Sequence, residues 1–260
     1  MDSLKRFFSN ILLSYKSIYG FMSLRAYLVL VILVPFFQTA LFSYLNYFIN
    51  GETGMRYAAL GNALYTICIF VVFTMGASIT TERRLGTLQT ILLSPTNKPM
   101  LFVTKSVLHV LEGIVTCCFS LAFGRIFLKL NFDNINWMNM IAVILLTTVM
   151  MIGVGMFAGV LGLLFRKATP ILNSINLSIF LLCGVNFPVD RLPKGLQIIS
   201  DAIPLTYGIR LLRAVYKGEG ILNMDLLYLC ITGVVFFVVS NRIFIISENY
   251  SRQKGTLDYY

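Results

Sequence analysis

The chain reads as an all-α polytopic membrane protein, and three observations predict it. Of 260 residues, 57% are hydrophobic and only 12% charged, with a mean hydropathy of +0.80; a soluble domain carries roughly a quarter charged residues. Six apolar stretches recur, each near the ~20 residues a helix needs to cross the hydrocarbon core. The charged residues gather at the ends of those stretches. The predicted spans are Ala26–Phe48, Ala58–Thr80, Leu101–Leu128, Met140–Phe165, Ala168–Phe187 and Leu222–Ile246, in one domain covering 1–260.

Residues 1–25 precede the first span. They place Leu4, Phe7, Phe8, Ile11, Leu12, Tyr15 and Ile18 on one helical face, with Lys5, Arg6, Ser9, Asn10, Ser14 and Lys16 opposite. That pattern predicts an amphipathic interfacial helix lying on the membrane. It lacks a signal-peptide layout, because no small-residue cleavage site follows the first apolar stretch. Pro35 should kink the first span. Lys5, Arg6, Arg25, Arg83, Arg84, Arg166, Lys167 and Arg252 collect on one side, which predicts a cytoplasmic N-terminus, C-terminus and loops after spans two and four. The net charge of +10 is spread along segment ends, which suits anionic lipid better than nucleic acid. All five cysteines fall inside apolar segments, as packing residues rather than a disulfide framework or metal site.

The loop Thr80–Pro99 breaks the apolar pattern. Glu82, Arg83 and Arg84 lead into Leu85, Leu88, Ile91 and Leu92 at helical spacing, and Ser94-Pro95 ends the run. A short helix over 81–95 follows, with Gly86 read as a close backbone approach. Apolar residues on so short a helix need a partner or a lipid surface to cover them.

A second unusual stretch, 188–220, lies before the last span. Leu192, Leu196, Ile199 and Ile203 share a helical face, and Pro193 suits a first turn. Pro204 breaks that helix. Leu205, Ile209, Leu212 and Tyr216 predict a second one carrying Arg210 and Arg213. Two short, half-buried helices read as a re-entrant hairpin rather than a plain loop.

Inside the spans, Gly153, Gly155, Gly159 and Gly162 permit close helix packing, read as within one subunit rather than across a dimer. His109 and Glu112 lie three apart on one face of the third span. Two readings stay open for them: a proton relay or substrate contact, or a buried pair tying span three to its neighbours. No Gly-x-x-x-x-Gly-Lys-Ser/Thr phosphate loop occurs. Paired carboxylates, a Ser-His-Asp set and metal-ligand spacing are likewise missing. The chain is expected not to be an enzyme.

The motif Glu82-Arg-Arg-x-Gly-Thr-Leu-x-x-x-Leu-Leu-Ser-Pro resembles the segment after the second span in type-2 ATP-binding-cassette (ABC) permeases. A matching Phe187-Pro, Leu192-Pro and Pro204-Leu-Thr-Tyr pattern sits between the last two spans. The resemblance covers nearly the whole chain and is nearest to the drug and lipo-oligosaccharide exporter branch. It implies that Glu82, Arg83, Arg84, Leu85, Gly86, Thr87, Leu88 and Leu92 form a coupling helix seated on a separate ATP-binding subunit, which would hold the ATP and magnesium. It implies a cavity near Phe70, Phe73, Asn173, Asn176 and Phe180, and an outer gate with Pro188, Pro193, Pro204, Leu205 and Tyr207. It further implies a dimer, with itself or a sister permease, in a bacterial cytoplasmic membrane. The expected cargo is a hydrophobic or amphipathic drug or peptide, with a glycolipid or polysaccharide second. A proton-coupled transporter using His109 and Glu112, and a membrane anchor that only holds an ATPase, are the competing classes.

Overall fold

The computed structural model describes residues 28–87, 98–133, 135–165, 168–221 and 223–253, and no strand occurs among them. The interfacial helix over 1–25 and residues 88–97 of the short helix over 81–95 lie outside the described residues. The elements, in order, are α1 (Val34–Cys68), α2 (Thr74–Arg84), α3 (Lys98–Phe127), α4 (Trp137–Leu164), α5 (Ala168–Leu182), α6 (Lys194–Ala202), α7 (Pro204–Tyr216) and α8 (Asn223–Gln253). Among the described residues, four runs are long and apolar enough to cross a membrane: Val31–Arg83, His109–Phe127, Trp137–Leu164 and Asn223–Ser247.

The first run is not a single rod. Gly51 has φ 64° and ψ −154°, outside helical space, and only glycine enters that region freely. Phe42 and Tyr65 both touch the Phe180 ring, with centroids 4.7 and 4.8 Å away. A straight helix would hold residues 42 and 65 about 34 Å apart. The chain therefore folds back at Gly51, so tightly that a Cβ on Gly54 would lie 2.6 Å from the Asn46 carbonyl oxygen. The sequence reading left residues 49–57 as a linker. Here the helix continues to the glycine and restarts beside it.

Two π-helical turns interrupt the hairpin. One, Val29–Leu33, precedes Pro35, which occupies the first turn of α1. The backbone is helical on both sides of Pro35, since Leu33 and Val34 keep right-handed helical dihedrals and α1 continues beyond it, and the π turn before it is an irregularity of the kind that accompanies bends in helices. The other, Ile69–Phe73, joins the second leg of α1 to α2. The fifth apolar helix, α5, stops at Leu182, short of the predicted Phe187. Gly184 takes φ 71° and turns the chain there.

Helix α4 is the centre of the fold, and its glycines show why. Its start is capped by the Asn136 side chain, which accepts from the N–H groups of Met138 (3.1 Å) and Asn139 (3.3 Å). A Cβ on Gly155 would meet Val71 O at 2.9 Å, and one on Gly162 would meet Gly76 O at 2.7 Å. On another face, a Cβ on Gly153 would lie 2.6 Å from the Phe237 nitrogen of α8. Ser240 donates to Gly153 O at 3.0 Å across that contact. The glycine stripe is thus filled within the chain, by the second leg of the hairpin and by the last helix.

The segment before α8 forms a corner. Ser200 Oγ donates to Leu182 O (2.8 Å), and Thr206 Oγ1 donates to Ser200 O (2.7 Å), which fixes α6 against α5 and α7. Helix α7 is buried along nearly its whole length, against α1, α4 and α8. Helix α6 leaves Ile198 and Ile199 exposed. Of the two helices expected to be half-buried, one is an interior strut and the other lies on the surface.

Candidate functional site

Polar side chains concentrate at the two ends of the bundle and at one level between them. At the first end, α2 carries the charged motif. Glu82 to Arg84 continue the second rod of the hairpin rather than opening a separate helix. Helix α2 ends at Arg84, where Leu85 N–H bonds Thr81 O (2.9 Å) and Gly86 N–H bonds Arg83 O (3.1 Å). Gly86 has φ 71° with nothing within 4 Å of an added Cβ. Its positive φ makes it a left-handed helix stop. Glu82 is buried and accepts from the Thr87 hydroxyl. Leu85, by contrast, is 49% exposed.

Arg83 points into the fold. Its guanidinium donates to Phe165 O at 3.0 Å and also to Leu163 O. These carbonyls end α4, where the last turn of a helix has no internal donors and a partial negative charge. Arg83 therefore caps α4 from α2. The side chain of Arg84 and residues Leu88 and Leu92 lie outside what the structure describes.

In the middle of α3, His109 Nδ1 and Glu112 Oε2 are 2.9 Å apart, and both side chains are buried. Thr116, on the same face, bonds its own helix at Glu112 O and Gly113 O. Between α1 and α5, Asn176 O accepts from Tyr65 OH (3.0 Å), and the Asn176 side chain meets Cys68 Sγ at 3.6 Å. Phe180 is enclosed by Phe42 and Tyr65. Asn176 and Phe180 are thus joints between helices, whereas Asn173 on the same helix is exposed. Phe70 is partly buried, and it and Phe73 belong to the π turn.

At the opposite end, Tyr57 and Arg83 occupy the two ends of the second leg. Arg213, on α7, donates to Gly184 O, Tyr57 O and Val185 O, each at 2.8 Å. Its guanidinium carbon sits 3.3 Å from the Tyr57 ring centre. Burial lowers the Arg213 pKa to about 10, with Tyr57 opposing the shift, so the group is charged at neutral pH. Arg210 bonds Asp201 at 3.1 Å and lies 5.4 Å over the Tyr207 ring, which stacks on Tyr228. Of the gate residues, Pro204, Leu205 and Tyr207 are buried, Pro188 is half-buried and Pro193 is exposed. A cavity of about 330 Å³ opens beside Arg213.

Sequence reasoning passed over Arg213 and Tyr57 as site residues. One signal was legible: Arg210, Arg213 and Lys217 recur at the i, i+3, i+7 spacing of one helical face. Among the described residues no group of three His, Cys, Asp or Glu side chains gathers as metal ligands would.

Long apolar helices packed around a glycine-lined centre, with charge confined mainly to the ends, define a multi-pass helical membrane protein. The chain belongs to the ABC-2 type transporter family, whose membrane-domain model matches residues 9–216, four fifths of the sequence. It is accordingly a permease component of an ABC transporter, the transport subunit rather than the ATPase. Such domains generally pair with an ATP-binding subunit. Among curated proteins, none matches the sequence.

Proposed function

We propose that this chain is the permease of an ATP-driven exporter in a bacterial cytoplasmic membrane, crossing it six times with both termini inside. The two legs of the α1–α2 hairpin, α3, α4, α5 and α8 supply the six crossings, and α6–α7 the re-entrant element and outer gate. The cargo is a hydrophobic or amphipathic drug or peptide; a glycolipid or polysaccharide is the second choice. Two permeases, identical or sister chains, would assemble with two ATPases that hold ATP and magnesium.

One observation carries this reading. The exposed Leu85 lies two residues after Arg83, which is anchored to the end of α4. A load applied to the Glu82–Leu92 segment, for which Leu85 and Leu88 are the apolar anchors, reaches the centre of the fold through that contact. Closure of the ATPase pair around ATP would bias the helices toward an outward-open state through contacts that differ between the states.

The test is co-purification in mild detergent with the candidate ATPase, wild type against Leu85→Asp plus Leu88→Asp. Capture by the wild type alone, with the variant still folded, supports the reading. Equal capture by both, or by neither, overturns it. The buried 2.9 Å contact of His109 with Glu112 favours one second reading, proton-coupled transport. That reading requires cargo movement without an ATPase and dependence on a proton gradient.

A further inference from the structure

The cavity beside Arg213 has a charge pattern that the reading above leaves unused. Arg210, Arg213 and Lys217 project into it from one face of α7, and Asp190, Glu219 and Asp225 line it from the turn after α5, the loop after α7 and the start of α8. Cations and carboxylates are therefore equal in number around about 330 Å³, the lower end of the range for small-molecule sites.

A solvated mixed-charge surface would satisfy its charges by pairing them. Here pairing is incomplete. Arg210 bonds Asp201, which does not line the cavity. Lys217 and Glu219 approach only to 3.9 Å, with both side chains more than half exposed. Arg213 is held by carbonyl oxygens and the Tyr57 ring, with no carboxylate in salt-bridge range among the described residues. Asp190 and Asp225 form no salt bridge among the described residues. Arg210 and Lys217 thus hold only part-exposed pairs on one wall, and Asp190 and Asp225 present carboxylates on the others, a layout complementary to a ligand carrying both signs.

The surroundings indicate where that ligand comes from. Met224, Leu227 and Tyr228 flank the cavity-lining Asp225 on α8, and all three are exposed. An apolar rim beside a polar recess suits an amphiphile whose head enters the cavity while its chains stay outside.

We propose that this cavity binds a zwitterionic head group, a phosphate joined to a primary ammonium, of the kind phosphatidylethanolamine carries. Arg210 and Lys217 take the phosphate, because guanidinium and ammonium donors make charge-assisted bonds to its oxygens. Asp225 and Asp190 take the ammonium and disfavour a purely anionic head. The inference concerns binding by the permease alone and stands apart from the direction and cargo of transport.

The full-length chain in maltoside detergent is titrated with dihexanoyl phosphatidylethanolamine, with dihexanoyl phosphatidylglycerol, and with O-phosphoethanolamine as competitor. Bound lipid is read by native mass spectrometry. The ethanolamine lipid is expected to bind at least about fivefold tighter than the glycerol lipid, the scale of one well-placed charge contact. Lys217→Gln, at an exposed position, and the near-isosteric Asp225→Asn should each weaken it by a similar factor. Asp225→Asn should also narrow the gap between the two lipids. Competition by O-phosphoethanolamine would mean the head alone is recognised, so a soluble source also serves; its failure to compete assigns the site to lipid. Equal or tighter binding of the glycerol lipid by the wild type overturns the proposal without any variant. Unchanged binding in both folded variants overturns it as well.

Discussion

The guanidinium carbon of Arg213 lies 3.3 Å from the centre of the Tyr57 ring, while the same group bonds the Tyr57 carbonyl at 2.8 Å. One side chain of α7 thus grips both the ring and the backbone at the start of the second leg, and its other bonds reach Gly184 and Val185. Arg213→Ala strands the loop carbonyls of Gly184 and Val185 at about 1–3 kcal/mol for each buried acceptor left unpaired. We expect a loss of roughly 3 kcal/mol or more, read as a lower unfolding midpoint in detergent and less protein in the membrane. Arg213→Lys should recover only part, because an ammonium lacks the planar fork that spans several carbonyls. An unchanged midpoint in the alanine variant would contradict the assignment.

Gly61 passes under the same junction. A Cβ there would lie 2.1 Å from Val185 O and 2.6 Å from the Arg213 guanidinium. Gly61→Ala should cost about 1–3 kcal/mol through overpacking against backbone. Gly195 in α6 has nothing within 4 Å of its added Cβ. Gly195→Ala should be neutral or stabilising by up to ~1 kcal/mol. Parallel thermal melts of the two variants compare a tight glycine with a free one.

Arg83 supplies the last turn of α4 with donors from α2. Arg83→Ala should leave capture of the ATPase nearly intact, since Leu85 and Leu88 are the proposed anchors, yet reduce ATP-driven transport severalfold. Arg83→Lys should fall between, keeping one charged donor. Binding lost in step with transport would instead place Arg83 in the docking surface itself.

His109 and Glu112 are expected to act structurally. Glu112→Gln preserves shape and a hydrogen-bonding group for the ring nitrogen 2.9 Å away, so transport at normal protein levels should persist. Glu112→Ala strands the imidazole and should cost about 1–3 kcal/mol. Transport abolished in a stable Gln variant would favour the proton relay.

Most of the helices were legible from composition and period, because a helix in lipid must satisfy its own backbone and cover it with apolar side chains. Spans three and four fall within a few residues of α3 and α4, and span six within a residue of the apolar run Asn223–Ser247 of α8. The charged run at Glu82 and the proline-punctuated stretch around Pro204 stood out for the same reason: each interrupts an apolar pattern. Partner choice was not legible. Whether Gly155 meets another chain or Val71, whether Arg83 faces an ATPase or the end of α4, and whether Phe180 lines a path or packs on Tyr65 all depend on which helices become neighbours. Helical period gives each residue a face, but tertiary packing decides what that face meets. The collapse of a linker into one residue at Gly51, and the meeting of Arg213 with a tyrosine 156 positions away, arise only when the helices close on one another.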